Sequence, residues 1–131
     1  VAVATIQQGG KEVPDSDVAR KINEALEGGK DVVLSPGIYH LNKPLRLHRN
    51  DQVLLGLGLA TLVAPPDGRP CVSVARCLEG VRIAGIMLEA SELSTEKSQR
   101  AVPIASLLMW GEEGTSEVDI GNPDNPGVIT D

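Results

Sequence analysis

The stretch VLSPGI at residues 33–38 decides the fold, because its form recurs further along the chain. Two later stretches, LLGLGL at 54–59 and VRIAGI at 81–86, also lead an apolar run into a glycine and continue at once as a second apolar run. The three stretches superimpose on Gly37, Gly58 and Gly85. A third short run follows each pair after a further turn. The chain is therefore predicted to repeat a unit of strand, glycine bend, strand, turn and strand.

A unit of this kind cannot bury its apolar face alone, but stacked units pair each strand with its equivalent in the next unit. The predicted fold is all-β, a right-handed, single-stranded parallel β-helix. The glycines fit sharp corners that need a positive φ or room for the backbone of the neighbouring coil. A β-sandwich remains an alternative, because it also consists of short strands separated by turn residues.

One segment before the repeats has a helical pattern. Either Asp15 or Ser16 can cap this helix, and Gly28 can end it. Its apolar residues fall on one face: Val18, Ile22, Ala25 and Leu26. Such a helix can cover the open end of a stack of strands. We therefore predict one domain over residues 1–131, with a lead-in over 1–14, a capping α-helix over 15–29 and β coils over 30–131.

Composition supports layered β structure and excludes several classes of protein. Hydrophobic residues make up 41% of the chain, yet it has one Trp, one Tyr and no Phe, so the core is predicted to be aliphatic. The net charge is −6, with no dense run of Lys or Arg, which argues against nucleic-acid partners. No apolar stretch approaches the roughly 18 residues of a membrane span, so no membrane partner is predicted.

The two cysteines are predicted to be independent thiols. Cys71 and Cys77 have no neighbouring His or Cys at the spacing of a zinc site, so no metal site is predicted. No cofactor is predicted either, because the Gly-x-Gly of residues 56–58 continues as a strand rather than as a helix. A local disulfide between the two cysteines is the alternative.

The best candidate sugar site is an aromatic residue followed by acids. Trp110 can stack on a sugar ring, and Glu112 and Glu113 come directly after it, so these three are predicted as a substrate-binding site. Further acids follow in the same region: Glu117, Asp119 and Asp124. The competing interpretation, which we favour, is a solvated acidic loop that Trp110 anchors to the core.

Other polar residues are predicted to have structural roles. Asp31, Asp51 and Glu79 each open a strand run, and stacking could gather them at one corner, but acids at turns commonly accept backbone hydrogen bonds. His40 and His48 are predicted to lie on the outer surface of strands.

The stretch GKDVVLSPGIYHL at residues 29–41, followed by QVLLGLGLATL at 52–62, resembles a known pattern. It is similar to that of the pectate-lyase-like β-helix proteins related to the family fifty-five glycoside hydrolases, the β-1,3-glucanase group. The resemblance covers roughly residues 18–111. Its motif marks bends and core layers rather than a catalytic centre.

This resemblance implies a longer parent protein, because members of the group have several hundred residues. The chain is expected to be an N-terminal fragment that continues beyond residue 131, and the catalytic acid of the group lies in later coils, so no catalytic residue is predicted here. The parent is expected to be a secreted, extracellular glycoside hydrolase acting on a polysaccharide such as β-1,3-glucan. The alternative is a non-catalytic polysaccharide-binding or structural module. Either could associate through its open end, with the rest of its own β-helix or with a copy of itself.

Overall fold

The computed structural model describes residues 3–6, 17–90, 102–111 and 121–131. These ranges contain one helix, α1 (Val18–Glu27), which is not long enough to cross a membrane. The strands in chain order are β1 (Val3–Ile6), β2 (Asp31–Leu34), β3 (Ile38–His40), β4 (Leu45–Leu47), β5 (Val53–Val63), β6 (Val72–Val74), β7 (Arg82–Glu89), β8 (Leu108–Trp110) and β9 (Val128–Thr130).

The strands form two sheets in which every pairing is parallel. The larger sheet has the order β1-β2-β5-β7-β9, with β3 also paired to β5, and the smaller sheet has the order β4-β6-β8. A β-sandwich is built from antiparallel sheets, so the sandwich alternative is wrong. The prediction of stacked parallel strands is confirmed.

The core consists of aliphatic side chains stacked in register. One row joins Val32 of β2 to Leu54 of β5 and Ile83 of β7, and all three are buried. A second row joins Leu45 of β4 to Val72 of β6. Inward and outward residues alternate along a strand. Pairing equivalent residues of successive strands therefore keeps all the apolar rows on the inner face of the sheets.

The one tyrosine lies within this core and has partners for its hydroxyl. Tyr39 is fully buried, and its hydroxyl group donates to the carbonyl oxygen of Ser35 at 2.7 Å or of Ile6 at 3.2 Å. Ile6 belongs to β1 and Ser35 follows β2. The hydroxyl group therefore contacts backbone carbonyl groups of two neighbouring layers.

The glycine bends do not follow the predicted alignment in one respect. Gly58 was expected opposite Gly85, but the ladder pairs Leu55 with Ala84 and resumes at Ala60 with Ile86. Residues 57–59 are therefore an extra segment in β5, and the close backbone approach is between Gly56 and Gly85. Gly85 has a φ of +66°. An alignment on glycines cannot detect such a bulge, because both Gly56 and Gly58 match the pattern.

The helix packs against the first layer of strands. Val18, Ile22 and Leu26 are buried as predicted, whereas Ala25 is only partly buried. Asp15 and Ser16 lie outside the described residues, and Asp17, which precedes the helix, makes no capping hydrogen bond with its side chain. At the other end the N–H of Gly28 donates to the carbonyl oxygen of Glu24.

Two buried amide side chains close the free edge of the smaller sheet. β4 is the first strand of that sheet, and the N–H groups of Arg46 and His48 are not used in its pairing with β6. Asn23 of α1 accepts the Arg46 N–H at 2.9 Å, and Gln52 accepts the His48 N–H at 3.1 Å. Both amide side chains are buried, so the edge is shielded from water and from other strands.

The same two side chains also attach the helix to the strands. The Asn23 amide donates to the carbonyl oxygen of Pro44 at 3.0 Å. The Gln52 amide donates to the carbonyl oxygens of Leu26 at 3.0 Å and Lys30 at 3.2 Å, at the end of the helix. Each amide thus uses both its donor and its acceptor, as a buried polar group must.

The cysteines form no disulfide, which confirms the prediction of independent thiols. Cys71 is buried and Cys77 is exposed. Burial raises the pKa of the Cys71 thiol to about 11, so this group stays neutral in the core at physiological pH.

Replacing either buried amide is expected to destabilise the chain. Asn23→Ala leaves the Arg46 N–H and the Pro44 carbonyl without this partner. Gln52→Ala does the same to the His48 N–H and the Lys30 carbonyl, while the Leu26 carbonyl keeps the N–H of Gly29. Each substitution should lower the free energy of unfolding in urea by about 1–3 kcal/mol. The control Glu27→Ala, at an exposed helix position, should change it by less than about 0.5 kcal/mol. Equal effects at buried and exposed positions would contradict the capping role.

The close approach of β5 and β7 can be tested with two glycines that both have a positive φ. Gly85→Ala places a methyl group against the Gly56 carbonyl oxygen, whereas Gly29→Ala meets nothing within 4 Å. Both variants bear the strain of a left-handed residue, about 1–2 kcal/mol. Gly85→Ala should lose about 1–3 kcal/mol more, because the backbones must separate. Equal thermal stabilities of the two variants would show that the strands are not held this close.

Candidate functional site

The predicted aromatic site residue, Trp110, lies in a row of core residues. The register places it next to Val74 of β6, which in turn pairs with Leu47 of β4, and both of these are fully buried. The Trp110 side chain is 38% exposed, and its ring contacts the backbone of Gly127. Trp110 therefore extends the core row beyond Val74 while leaving part of its ring accessible.

A cavity of about 440 Å³ adjoins this ring. Ile129 of β9 forms another part of its wall, and Ile129 extends the core row of Ile83 in the larger sheet. Leu78, Asn122 and Pro126 complete much of the remaining lining. The cavity thus lies where the inner faces of the two sheets end, and its walls can accept either a sugar ring or another layer of apolar side chains.

Most acidic residues of the predicted region lie outside the described residues. They are Glu112, Glu113, Glu117 and Asp119. Asp124 is exposed, in a turn where its N–H donates to the side-chain oxygen of Asn122 at 3.0 Å. The grouping of Trp110 with Glu112 and Glu113 stays a prediction.

Asp31 accepts a backbone hydrogen bond, as predicted for the acids at the strand starts, whereas the carboxylates of Asp51 and Glu79 accept from asparagine side chains. One oxygen of Asp31 accepts the Val53 N–H at 2.9 Å and pairs with the Arg49 guanidinium group at 3.0 Å. Asp51, which has a φ of +60°, accepts from the side-chain amide of Asn125 at 2.8 Å. These contacts hold turns of successive layers together.

Glu79 completes this corner through two asparagines. Its carboxylate accepts from the side-chain amide of Asn122 at 2.6 Å, and its N–H donates to the side-chain oxygen of Asn50 at 3.1 Å. In the described ranges, no three His, Cys, Asp or Glu side chains are grouped so that they could hold a metal ion. The corner is therefore a hydrogen-bonded ladder of turn residues.

The contribution of Asn122 and Asn125 was missed from the sequence. Both belong to the segment NPDNPG at residues 122–127, whose Asn-Pro pairs are typical of turns. That signal predicts a turn at this position. It does not show which earlier turns the asparagines contact, because Asn125 and its partner Asp51 are 74 residues apart in sequence. His40 and His48 are exposed, which confirms their predicted place on the surface.

Comparison with known proteins supports the same architecture. The family model of the LAM55 pectate lyase-like domain matches residues 12–131. An exo-beta-1,3-glucanase from Streptomyces sp. strain SirexAA-E is 32% identical over 105 residues, which are 80% of this chain and 16% of that protein.

Two solved structures have a similar fold. One is a variant of sacteLam55A from Streptomyces sp. SirexAA-E in complex with glucose, with a TM-score of 0.69 and 28% identity over 92% of this chain. The other is sacteLam55A itself, with a TM-score of 0.65 and 28% identity over 99% of this chain. The chain spans 19% of the length of each.

The place of Trp110 can be tested through its role in packing and through its fluorescence. Trp110→Ala should lower the free energy of unfolding by about 2 kcal/mol, less than the loss of a fully buried aromatic residue. Leu59→Ala, at a side chain that is 74% exposed, should change it by less than about 0.5 kcal/mol.

Trp110 is the only tryptophan of the chain, so its emission reports on this cavity alone. A saturable change in emission on titration with a β-1,3-linked gluco-oligosaccharide would support the predicted sugar contact. Emission that stays constant up to millimolar oligosaccharide would contradict that contact and leave Trp110 with its packing role.

Proposed function

Because this chain belongs to the LAM55 pectate lyase-like domain family, we propose that it forms the capped first layers of a right-handed, single-stranded parallel β-helix in a β-1,3-glucan hydrolase. The observation that carries this proposal is the 32% identity with an exo-beta-1,3-glucanase over 80% of the chain. The parallel pairing of all described strands supports the helical path.

The role of this chain within such an enzyme is that of a scaffold. Glycoside hydrolysis normally requires two carboxylates that flank the scissile bond, one as an acid and one as a base or nucleophile. Asp31, Asp51 and Glu79 instead accept hydrogen bonds from neighbouring turns. These three acids are therefore not candidates for the catalytic pair, and we propose that the catalytic carboxylates lie in other parts of the parent protein.

The substrate class leads to a proposed location. A glucan polymer is too large and too polar to cross a bilayer, so an enzyme that degrades it acts where the polymer is. In line with the resemblance to the β-1,3-glucanase group, we propose that the parent protein is secreted and has a polysaccharide partner outside the cell.

A second candidate function is that of a non-catalytic module that associates through the open end of the stack. The observation that favours it is the apolar surface at that end, where Ile129 is 56% exposed and all of β9 is exposed. A strand with unpaired N–H and C=O groups can pair with another strand. The occupant would be the remainder of the same β-helix or a second copy of the chain.

The hydrolase proposal can be tested by comparing the full-length parent with this chain. Both are incubated with a β-1,3-glucan, and the release of glucose and of reducing ends is measured. The parent should release glucose, and the chain alone should release none above a buffer control. Release by the chain alone would place the catalytic residues here, and no release by the parent would exclude the hydrolase and favour the module.

Sedimentation of the chain at increasing concentration tests association. The open end should produce a dimer whose fraction increases with concentration, and Ile129→Lys should suppress it by placing a charge on the exposed edge. His40→Lys, at another exposed strand position, is the control. A monomer at every concentration would exclude self-association and leave the rest of the β-helix as the occupant.

A further inference from the structure

A groove of about 550 Å³ lies on the outer face of the smaller sheet. The register places Arg46, Ser73 and Met109 side by side across β4, β6 and β8. The groove is deepest in the middle because its central positions carry small residues, Ser73 and Ala75, with Gly111 beside them, whereas longer side chains surround them. Its volume is in the range of small-molecule sites.

The charged side chains that line this groove are positive, whereas the net charge of the chain is negative. Within the described part of the chain, the groove's charged or titratable lining residues are Arg46, His48 and Arg69, and no described lining residue carries a carboxylate, although the chain has a net charge of −6. Arg69 is paired with Asp67 at 2.7 Å. Arg46 is exposed and forms no salt bridge with any residue in the described ranges, so its guanidinium group is the available cation of the groove.

The backbone that carries Arg46 and His48 is fixed from beneath. Their N–H groups are held by Asn23 and Gln52, whose amide side chains are buried between the helix and the strands. Arg69 is held separately, because its guanidinium group also donates to the carbonyl oxygen of Asn42 at 3.1 Å. A ligand would therefore meet a wall that is already ordered, which lowers the entropy lost on binding.

We propose that this groove binds an acidic saccharide, a sugar that carries a carboxylate. A guanidinium group recognises a carboxylate through two parallel hydrogen bonds, and Arg46 is placed to do so. Met109, Pro44 and Pro70 supply apolar surface for the ring. The choice of a sugar rather than another anion rests on the proposed carbohydrate function, whereas the preference for an anion rests on the groove alone.

This groove differs from a binding site for β-1,3-glucan, because that polymer carries no charge. It would hold the protein on an acidic polysaccharide while a neutral glucan is hydrolysed elsewhere in the parent. Attachment of this kind requires only moderate affinity, because repeated contacts along a polymer raise the overall binding.

Calorimetric titration of the chain tests the proposal with three probes of similar length: an oligogalacturonate, a neutral β-1,3-linked gluco-oligosaccharide and an oligoglutamate peptide. The oligogalacturonate should bind at least about tenfold more tightly than the neutral sugar, and binding should weaken with added salt. Arg46→Gln should weaken it by about tenfold or more. Arg20→Gln, at an exposed helix position that pairs with Glu24, should leave it unchanged.

Equal binding of the acidic and neutral sugars, or unchanged binding by Arg46→Gln, would overturn the proposal. Binding of the peptide as tight as that of the oligogalacturonate would overturn the assignment to a saccharide. Circular dichroism of Arg46→Gln verifies that the variant is folded, and Arg46→Lys, which keeps the charge but not the paired donors, should bind at an intermediate strength. Because binding is measured directly, a parent that hydrolyses no β-1,3-glucan would leave this result standing.

Discussion

The backbone N–H groups at the first edge of the smaller sheet must have acceptors, and most of the structure depends on how this requirement is met. Strands in the middle of a sheet find their acceptors in their neighbours, but β4 has a neighbour on one side only. Asn23 and Gln52 supply the missing acceptors from buried positions. Because Asn23 lies on α1 and Gln52 bonds to its last turn, satisfying the edge also fixes the helix over the core. In the larger sheet the first strand after the helix, β2, has its edge covered by pairing with β1.

A closed first edge allows the register to propagate. Each later strand repeats the inward row of the strand before it, and the layers come close enough at Gly56 and Gly85 for the backbones to touch. The turns are joined in parallel by the polar ladder of Asp51, Glu79 and the two asparagines. Arg46 of β4 and His48, which follows this strand, line the outer groove. The hydrogen bonds to Asn23 and Gln52 therefore also order one wall of that groove.

The sequence predicted the parts of this fold that depend on short-range patterns. Apolar runs and the helical stripe of Val18, Ile22 and Leu26 are local signals, and the structure confirms them. The bulge at residues 57–59 was not predicted, because it is defined only by the ladder with β7. The roles of Asn23 and Gln52 were also missed, since a polar residue in an apolar stripe indicates burial only once its distant partners are known.

The candidate site was predicted less well than the fold, for a related reason. Trp110 was predicted from the acids that follow it, whereas its place in the inward row of Val74 follows from register and not from its neighbours in sequence. Composition contains no information about a glucan; that part of the interpretation came from the resemblance to a family and is supported by the comparisons. A pattern that specifies bends and layers predicts a scaffold and does not identify catalytic residues.

Amide hydrogen exchange at Arg46 and His48 tests the central claim most directly. If Asn23 and Gln52 close the edge of β4, both N–H groups should exchange within about tenfold of the rate of Ala75, whose N–H donates to Leu47 inside the sheet. Exchange at the rate of an unstructured peptide, with Ala75 still protected, would show that the edge is open and that the buried amides do not cap the stack.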